Sequence, residues 1–279
     1  MNIGVSTLLH ETADIVTATE VIAGYGFTRI ELFCELDGFH PESILPATID
    51  RLQGLASKHG LIYSIHPPCA HNNPASSDPQ LRRQTVADYR GSLQLAARLG
   101  AKDMVVHSGH KSSPDVGDAQ AFAFSCETMR AVSDTANDLG VRLMLENTGW
   151  SELRFLRTPD DLMTLAEACP PDTGLLLDTG HAVLQGFDPA ACAVAWMSRL
   201  VQIHAHDNRG QSDEHLAVGA GVIDWSALLA LLRTADWDGV FMIEVGECSE
   251  PAKALAASIR AIGERVPAAL CDCLRKGGL

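Results

Sequence analysis

The chain has 279 residues, 46% of them hydrophobic and 5% aromatic, and a formal net charge of −14. That is enough apolar material for a sizeable aliphatic core, and so acidic a chain repels phosphate backbones at long range, which disfavours nucleic acid as a partner. No run of about 18 apolar residues is present, which argues against a membrane-spanning helix, and no basic-then-apolar leader opens the chain. Eight cysteines without a CxxC, the closest pair being Cys271 and Cys273, read as reduced thiols packed as small hydrophobes. The expected compartment is the cytoplasm.

In chain order, Asn2–Thr7 reads as a short strand and Ala13–Tyr25 has helical spacing. Arg29–Phe33 (RIELF) is the second strand, and Pro41–His59 a helix stopped by Gly60. Ile62–Pro67 is the third strand. Asp78 and Pro79 open a long helix that runs to Leu99, the Asp as cap and the Pro in the first turn. Met104–His107 is strand four, Ala119–Leu139 a helix and Arg142–Glu146 strand five. Thr158, Pro159 and Asp160 open another helix. Gly174–Asp178 is strand six, followed by a helix over Asp188–Met197. Leu200–His204 is strand seven, Asp224–Thr234 helical and Val240–Glu244 strand eight, and a last helix starts near Pro251.

The eight strands alternate with helices and are continuous apolar runs, so both of their faces are buried. With no linker and no low-complexity tract, this predicts an α/β fold: one (β/α)8 TIM barrel over residues 1–279, with its active site at the C-terminal ends of the strands. No glycine-rich GxGxxG follows strand one, which argues against a doubly wound open sheet.

Apolar strands repeatedly run into groups that bind metals. His66, His107, Glu146, Asp178, His204 and Glu244 each end a different strand, His181 follows Asp178 by three residues, and Asp213 and His215 lie in the loop after strand seven. In a barrel these ends share one mouth. An unpaired carboxylate ending an apolar strand is costly to bury, whereas imidazole nitrogen with carboxylate oxygen suits zinc or manganese. His206 and Asp207 sit beside a ligand position and are placed to orient it, and His206 to touch substrate. Glu31 and Arg209 are the candidates for substrate hydroxyls or a phosphate. His10, His40, His59, His71 and His110 lack this context and read as surface or supporting residues.

On VVHSG at 105–109, LENTG at 145–149, LLLDTGHA at 175–182, IHAHDN at 203–208, DEHLAVGAGVIDW at 213–225 and GVFMIEV at 239–245, the chain resembles the xylose isomerase-like barrels. That superfamily includes sugar-phosphate isomerases and epimerases and the endonuclease IV group. In the isomerase and epimerase branch, the resemblance implies one metal held by Glu146, Asp178, His204 and Glu244, with the two glutamates moving protons at the substrate carbons. In the endonuclease IV branch it implies three zinc ions held by His66, His107, Glu146, Asp178, His181, His204, Asp213, His215 and Glu244, and all nine positions are filled here.

The surroundings decide the preference between branches. A DNA-binding phosphodiesterase wants Arg and Lys for phosphates and apolar wedges for the stack. The loop from Cys34 to His40 is acidic, the loop from Pro68 to Ser77 carries no Lys, Arg or aromatic residue, and Lys111, Arg154, Arg157 and Arg209 are the basic residues near the mouth. The reading is therefore a metal-dependent isomerase or epimerase of a small sugar or sugar phosphate, with Glu146 and Glu244 as acid and base. An endonuclease IV-like zinc phosphodiesterase is the alternative, and a non-catalytic metal- or sugar-binding barrel the third. Five His among nine candidate ligands favour zinc, with manganese next, in one to three ions. Nothing in the sequence decides between monomer and homo-oligomer.

Overall fold

A computed structural model describes residues 1–36, 38–148 and 151–276. Asp37 of the acidic loop and Gly149 of the LENTG motif lie outside the described residues. The strands are β1 (Asn2–Ser6), β2 (Arg29–Phe33), β3 (Ile62–His66), β4 (Asp103–His107), β5 (Arg142–Glu146), β6 (Gly174–Asp178), β7 (Leu200–Ala205) and β8 (Val240–Ile243). All neighbours pair in parallel, and β8 pairs with β1, so the sheet closes into a barrel in sequence order. The helices are α1 (Ile15–Gly24), α2 (Pro46–His59), α3 (Pro79–Leu99), α4 (Asp118–Leu139), α5 (Pro159–Ala166), α6 (Thr179–Gln185), α7 (Pro189–Trp196), α8 (Trp225–Thr234), α9 (Pro251–Ala261) and α10 (Ala268–Lys276). Among the described residues no helix is long and apolar enough to cross a membrane.

Side chains of a strand alternate between its faces, so each apolar run splits into two layers. Ile30, Leu32, Ile65, Val106, Leu145, Leu177, Ile203 and Phe241 are fully buried in the main core that the helices cover. Val105, Met144 and Leu176 pack as a separate small cluster, alternating with those residues. The register sets His107 beside Glu146 and Asp178 beside His204. His107, Glu146 and Asp178 thus continue inward-facing rows whose next deeper members are the apolar Val105, Met144 and Leu176, whereas below His66 and His204 lie the buried polar Ser64 and Gln202.

Several helix ends follow local chemistry. Asp14 and Asp78 cap α1 and α3 by accepting from backbone N–H groups, and Pro79 occupies the first turn of α3. One expectation is corrected. The second helix starts at Pro46 rather than Pro41, because proline holds Leu45 extended (φ −77°, ψ 141°). Two helices were also not anticipated. One is α6, whose first turn is built from the LLLDTGHA motif, and the other is α10 at the C-terminal side of α9.

Candidate metal centre at the barrel mouth

Nine side chains that the sequence nominated meet at the C-terminal mouth. His107 Nε2 lies 3.2 Å from Glu146 Oε2 and 3.2 Å from His66 Nε2. His204 Nδ1 lies 3.1 Å from Glu244 Oε2, 3.7 Å from Glu146 Oε1 and 3.9 Å from Asp178 Oδ2. His181 bridges Glu146 and Asp213, with Nδ1 3.2 Å from Glu146 Oε1 and Nε2 3.1 Å from Asp213 Oδ2. His215 Nε2 reaches the same Asp213 oxygen at 3.1 Å. Three-residue groups with ligand atoms close enough to share an ion include His66, His107 and Glu146; Glu146, Asp178 and His204; and His206, Asp213 and His215.

Local structure explains how each group is aimed. Asp178 ends β6 and also caps α6, accepting from His181 N at 2.6 Å. The same carboxylate lies with Glu146 and His204 in a group close enough to share an ion. Asn147 ties β5 to β6: Asp178 N donates to its side-chain oxygen (2.8 Å), and its amide donates to Asp178 O (3.0 Å). The loop after β7 folds back through reciprocal backbone bonds between Asp207 and Leu216. The buried Asp207 carboxylate accepts from Trp225 Nε1 (2.9 Å) and Gly219 N (3.1 Å). This return path delivers Asp213 and His215 over the mouth. His215 adopts a left-handed φ of 46°, an uncommon conformation for a residue with a side chain. Gly246 N holds its carbonyl at 3.0 Å.

The histidines are oriented from behind. His66 Nδ1 lies 2.9 Å from Pro67 O, His181 Nδ1 3.1 Å from Asn147 O, and His215 Nδ1 2.9 Å from Glu244 O. A ring N–H given to a carbonyl leaves the other nitrogen with its lone pair facing the site, the arrangement found behind metal-bound histidine. His204 is held the other way round, with Nε2 2.8 Å from Glu31 Oε1 and Nδ1 facing the carboxylates.

The electrostatics fit a cation. Burial alone would raise the Glu146 carboxyl, but His107, His181 and His204 hold it well below the usual range. Burial likewise opposes ionisation of Asp178, and His181 and His206 overcome it. Burial would lower His204, yet Glu244 and Glu31 push it well up. His215 goes to about 9, burial opposing and Asp213 and Glu244 raising it. Among buried atoms without a hydrogen-bond partner are Glu146 Oε2, His204 Nδ1 and Asp213 Oδ1. Three such donors converging on one mouth fit a divalent ion of the zinc or manganese type.

Above the cluster is a cavity of about 550 Å³, within the size range of small-molecule sites. Its floor includes His66, His107, Glu146, His181, Asp213, His215 and Glu244, and its walls include Leu8, Phe33, Cys69, Ala70, Leu153 and Thr148. Phe33 and Thr148 sit in the RIELF and LENTG motifs, but nothing in the sequence singled them out. His110 lines this cavity as well, unlike the other four histidines set aside with it.

The three residues assigned to substrate from the sequence lie elsewhere. Glu31 and His206 have no exposed surface, because β2 and β7 carry them beneath or behind the cluster. His206 Nε2 is 3.0 Å from both Asp178 oxygens. Arg209 pairs with Glu214 and is not among the lining residues. Lys111 and Arg157 are likewise engaged, both with Asp118, and Arg154 donates to Gln185 O. Among the described residues lining the cavity there is no Lys or Arg.

A closed parallel barrel with carboxylates and imidazoles gathered at its C-terminal mouth defines a (β/α)8 protein with a candidate metal-binding site where such barrels carry their active sites. The chain belongs to the xylose isomerase-like TIM barrel family, whose profile matches residues 20–265. It is 30% identical over 251 residues to an uncharacterized protein of Methanocaldococcus jannaschii, covering 88% of this chain and 83% of that one. It is 29% identical over 179 residues to a probable endonuclease 4 of Oleidesulfovibrio alaskensis, 58% of this chain and 60% of the other. Among solved structures, a D-tagatose 3-epimerase-like protein superposes with a TM-score of 0.81 at 26% identity, over 94% of this chain and 98% of that one.

Proposed function

We propose that this protein is a divalent-metal-dependent isomerase or epimerase of a small sugar or sugar phosphate, working in the cytoplasm. The observation that carries the reading is the approach of Glu146 and Glu244 to one imidazole nitrogen, His204 Nδ1, at 3.7 and 3.1 Å. It is supported by the likeness to a D-tagatose 3-epimerase-like protein and by a cavity of monosaccharide scale with partly apolar walls.

Glu146, Asp178, His204 and Glu244 would hold the ion, with His66, His107, His181, Asp213 and His215 able to hold more. A divalent cation there would act as a Lewis acid on a substrate oxygen. The two glutamates do the proton work. One glutamate, as the carboxylate, takes the proton from the carbon beside a carbonyl, the C–H electron pair moves toward the carbonyl oxygen, and the other, entering as the carboxylic acid, gives up its own proton, so that the two end with their protonation states exchanged. Phe33, Leu8 and Leu153 line the cavity and keep bulk water from the reacting carbon.

A second reading, a phosphoester hydrolase with a polynuclear zinc site, is favoured by one observation. All nine ligand positions are occupied by competent residues that lie together, including Asp213 within reach of both His181 and His215. The experiment that separates the readings assays one metal-loaded preparation on a panel of free and phosphorylated ketoses and on an abasic-site DNA duplex. Interconversion of a ketose supports the isomerase. Cleavage of the duplex at nanomolar enzyme with no ketose turnover reverses the order.

A further inference from the structure

Glu31 lies in the middle of β2, one layer below the mouth, and has no exposed surface. Its Oε2 accepts from Gln202 Nε2 at 2.7 Å and from Ser64 Oγ at 3.0 Å. Its Oε1 lies 2.8 Å from His204 Nε2. Among the described residues, His204 is its one ion-pair partner. We propose that Glu31 is a positioning residue for the metal centre. It holds His204 with the ring proton on Nε2, so that the lone pair on Nδ1 faces Glu146, Asp178 and Glu244. This rests on the metal-dependent reading above.

The hydrogen-bond inventory leads to this assignment. A neutral imidazole has one N–H and one lone pair. An ionised carboxylate only accepts, so the nitrogen facing Glu31 carries the proton. Gln202 Nε2 also approaches His204 Nε2, at 3.2 Å, but both are donors, and each lies closer to a Glu31 oxygen, at 2.7 and 2.8 Å. Ser64 and Gln202 occupy Oε2 and leave Oε1 to His204. The carboxylate is thus fixed at both ends before any ion arrives.

The energetics point the same way. A buried carboxylate is costly unless positive charge faces it. An imidazole whose far nitrogen binds a cation presents a more polarised N–H, which offsets that cost. By reciprocity, the charge of Glu31 makes Nδ1 a stronger donor to the cation. His66, His181 and His215 are backed by carbonyls of the backbone, which no substitution removes. His204 is backed by a side chain, so its support can be tested directly.

The test compares wild type with Glu31→Gln, which keeps the shape and removes the charge. Cobalt(II) affinity is measured by competition with a chromophoric chelator, the visible spectrum of bound cobalt is recorded, and the melting midpoint of chelator-treated protein serves as the control. The expected result is a 10- to 100-fold loss of cobalt affinity, a changed cobalt spectrum and a chelated midpoint within a few degrees of wild type. Wild-type affinity and spectrum in Glu31→Gln overturn the proposal alone. A wild-type protein that binds no cobalt overturns both this proposal and the metal-dependent reading. If Glu31→Gln does not fold, Gln202→Met, which removes one donor holding Glu31, takes its place. A smaller affinity loss in the same direction is then expected, and unchanged affinity overturns the proposal.

Discussion

His206 and His215 lie face to face, their ring centroids 3.9 Å apart and their planes 15° from parallel. The outer ring belongs to the loop after β7, while the inner one bonds Asp178 at the end of the neighbouring strand. This stack joins the loop that carries Asp213 to the fully buried carboxylate at the end of β6. His206→Ala removes both the stacking surface and the donor to Asp178. A loss of metal affinity of about 10- to 100-fold is expected, the usual size for a group behind a ligand. Chelator competition checks it, and an unchanged dissociation constant would mean that His206 is only packing.

That inner ring is allowed its place by a glycine. A Cβ on Gly180 would lie 2.1 Å from His206 Cε1, closer than any real contact. Gly180→Ala must therefore push the ring, α6 or both, at a cost of about 1–3 kcal/mol. The melting midpoint should fall by several degrees, and an unchanged midpoint would show that the ring has room to move.

In the metal-free protein the site should make stability depend on pH. His215 is raised from 6.5 to about 9, so its folded state holds a proton more tightly than its unfolded state. Its contribution is full below about pH 6.5 and is lost as pH climbs through about 9. His181 and His204 are raised in the same direction and add to the loss. Asp213 is depressed, burial opposing and His181 and His215 lowering it, so its contribution persists above its ordinary value. Urea midpoints with chelator present should therefore drop between pH 6.5 and 9. Added zinc should flatten the profile, because metal and protons compete for the same atoms. A flat chelated profile would contradict this picture.

Much of this site was legible because buried polar groups announce themselves. His66, Glu146 and Asp178 end strands whose other buried residues are mostly apolar, and periodicity alone aims them at one mouth. Depth was not legible. Glu31 shares its inward face with Phe33, two residues on, but the strand stagger that sets which row reaches the cavity is a property of the closed sheet. Phe33 thus lines the cavity and Glu31 lies under it. The dual use of Asp178 as cap and site residue hid α6, since DTGH satisfies both patterns. The start of α2 was misplaced because Pro41 and Pro46 are each acceptable first-turn residues, and the extended Leu45 decides between them.

Proton transfer gives the two glutamates a second role beside holding the ion. Glu146→Gln and Glu244→Gln should each lower turnover of the responding ketose by about 100- to 10,000-fold, the range of general acid–base catalysis. The overall fold, followed by far-ultraviolet circular dichroism, should be unchanged. Near-normal turnover in either variant would remove that residue from the proton-transfer role.

The most direct measurement is the metal content of the protein after equilibration with zinc or manganese and exhaustive dialysis, for wild type and for His204→Ala. One to three ions per chain are expected in wild type, with a clear loss in the variant, whose ring nitrogen faces Glu146, Asp178 and Glu244. A wild-type protein that retains no stoichiometric divalent ion, or a variant that retains the full complement, would contradict the account.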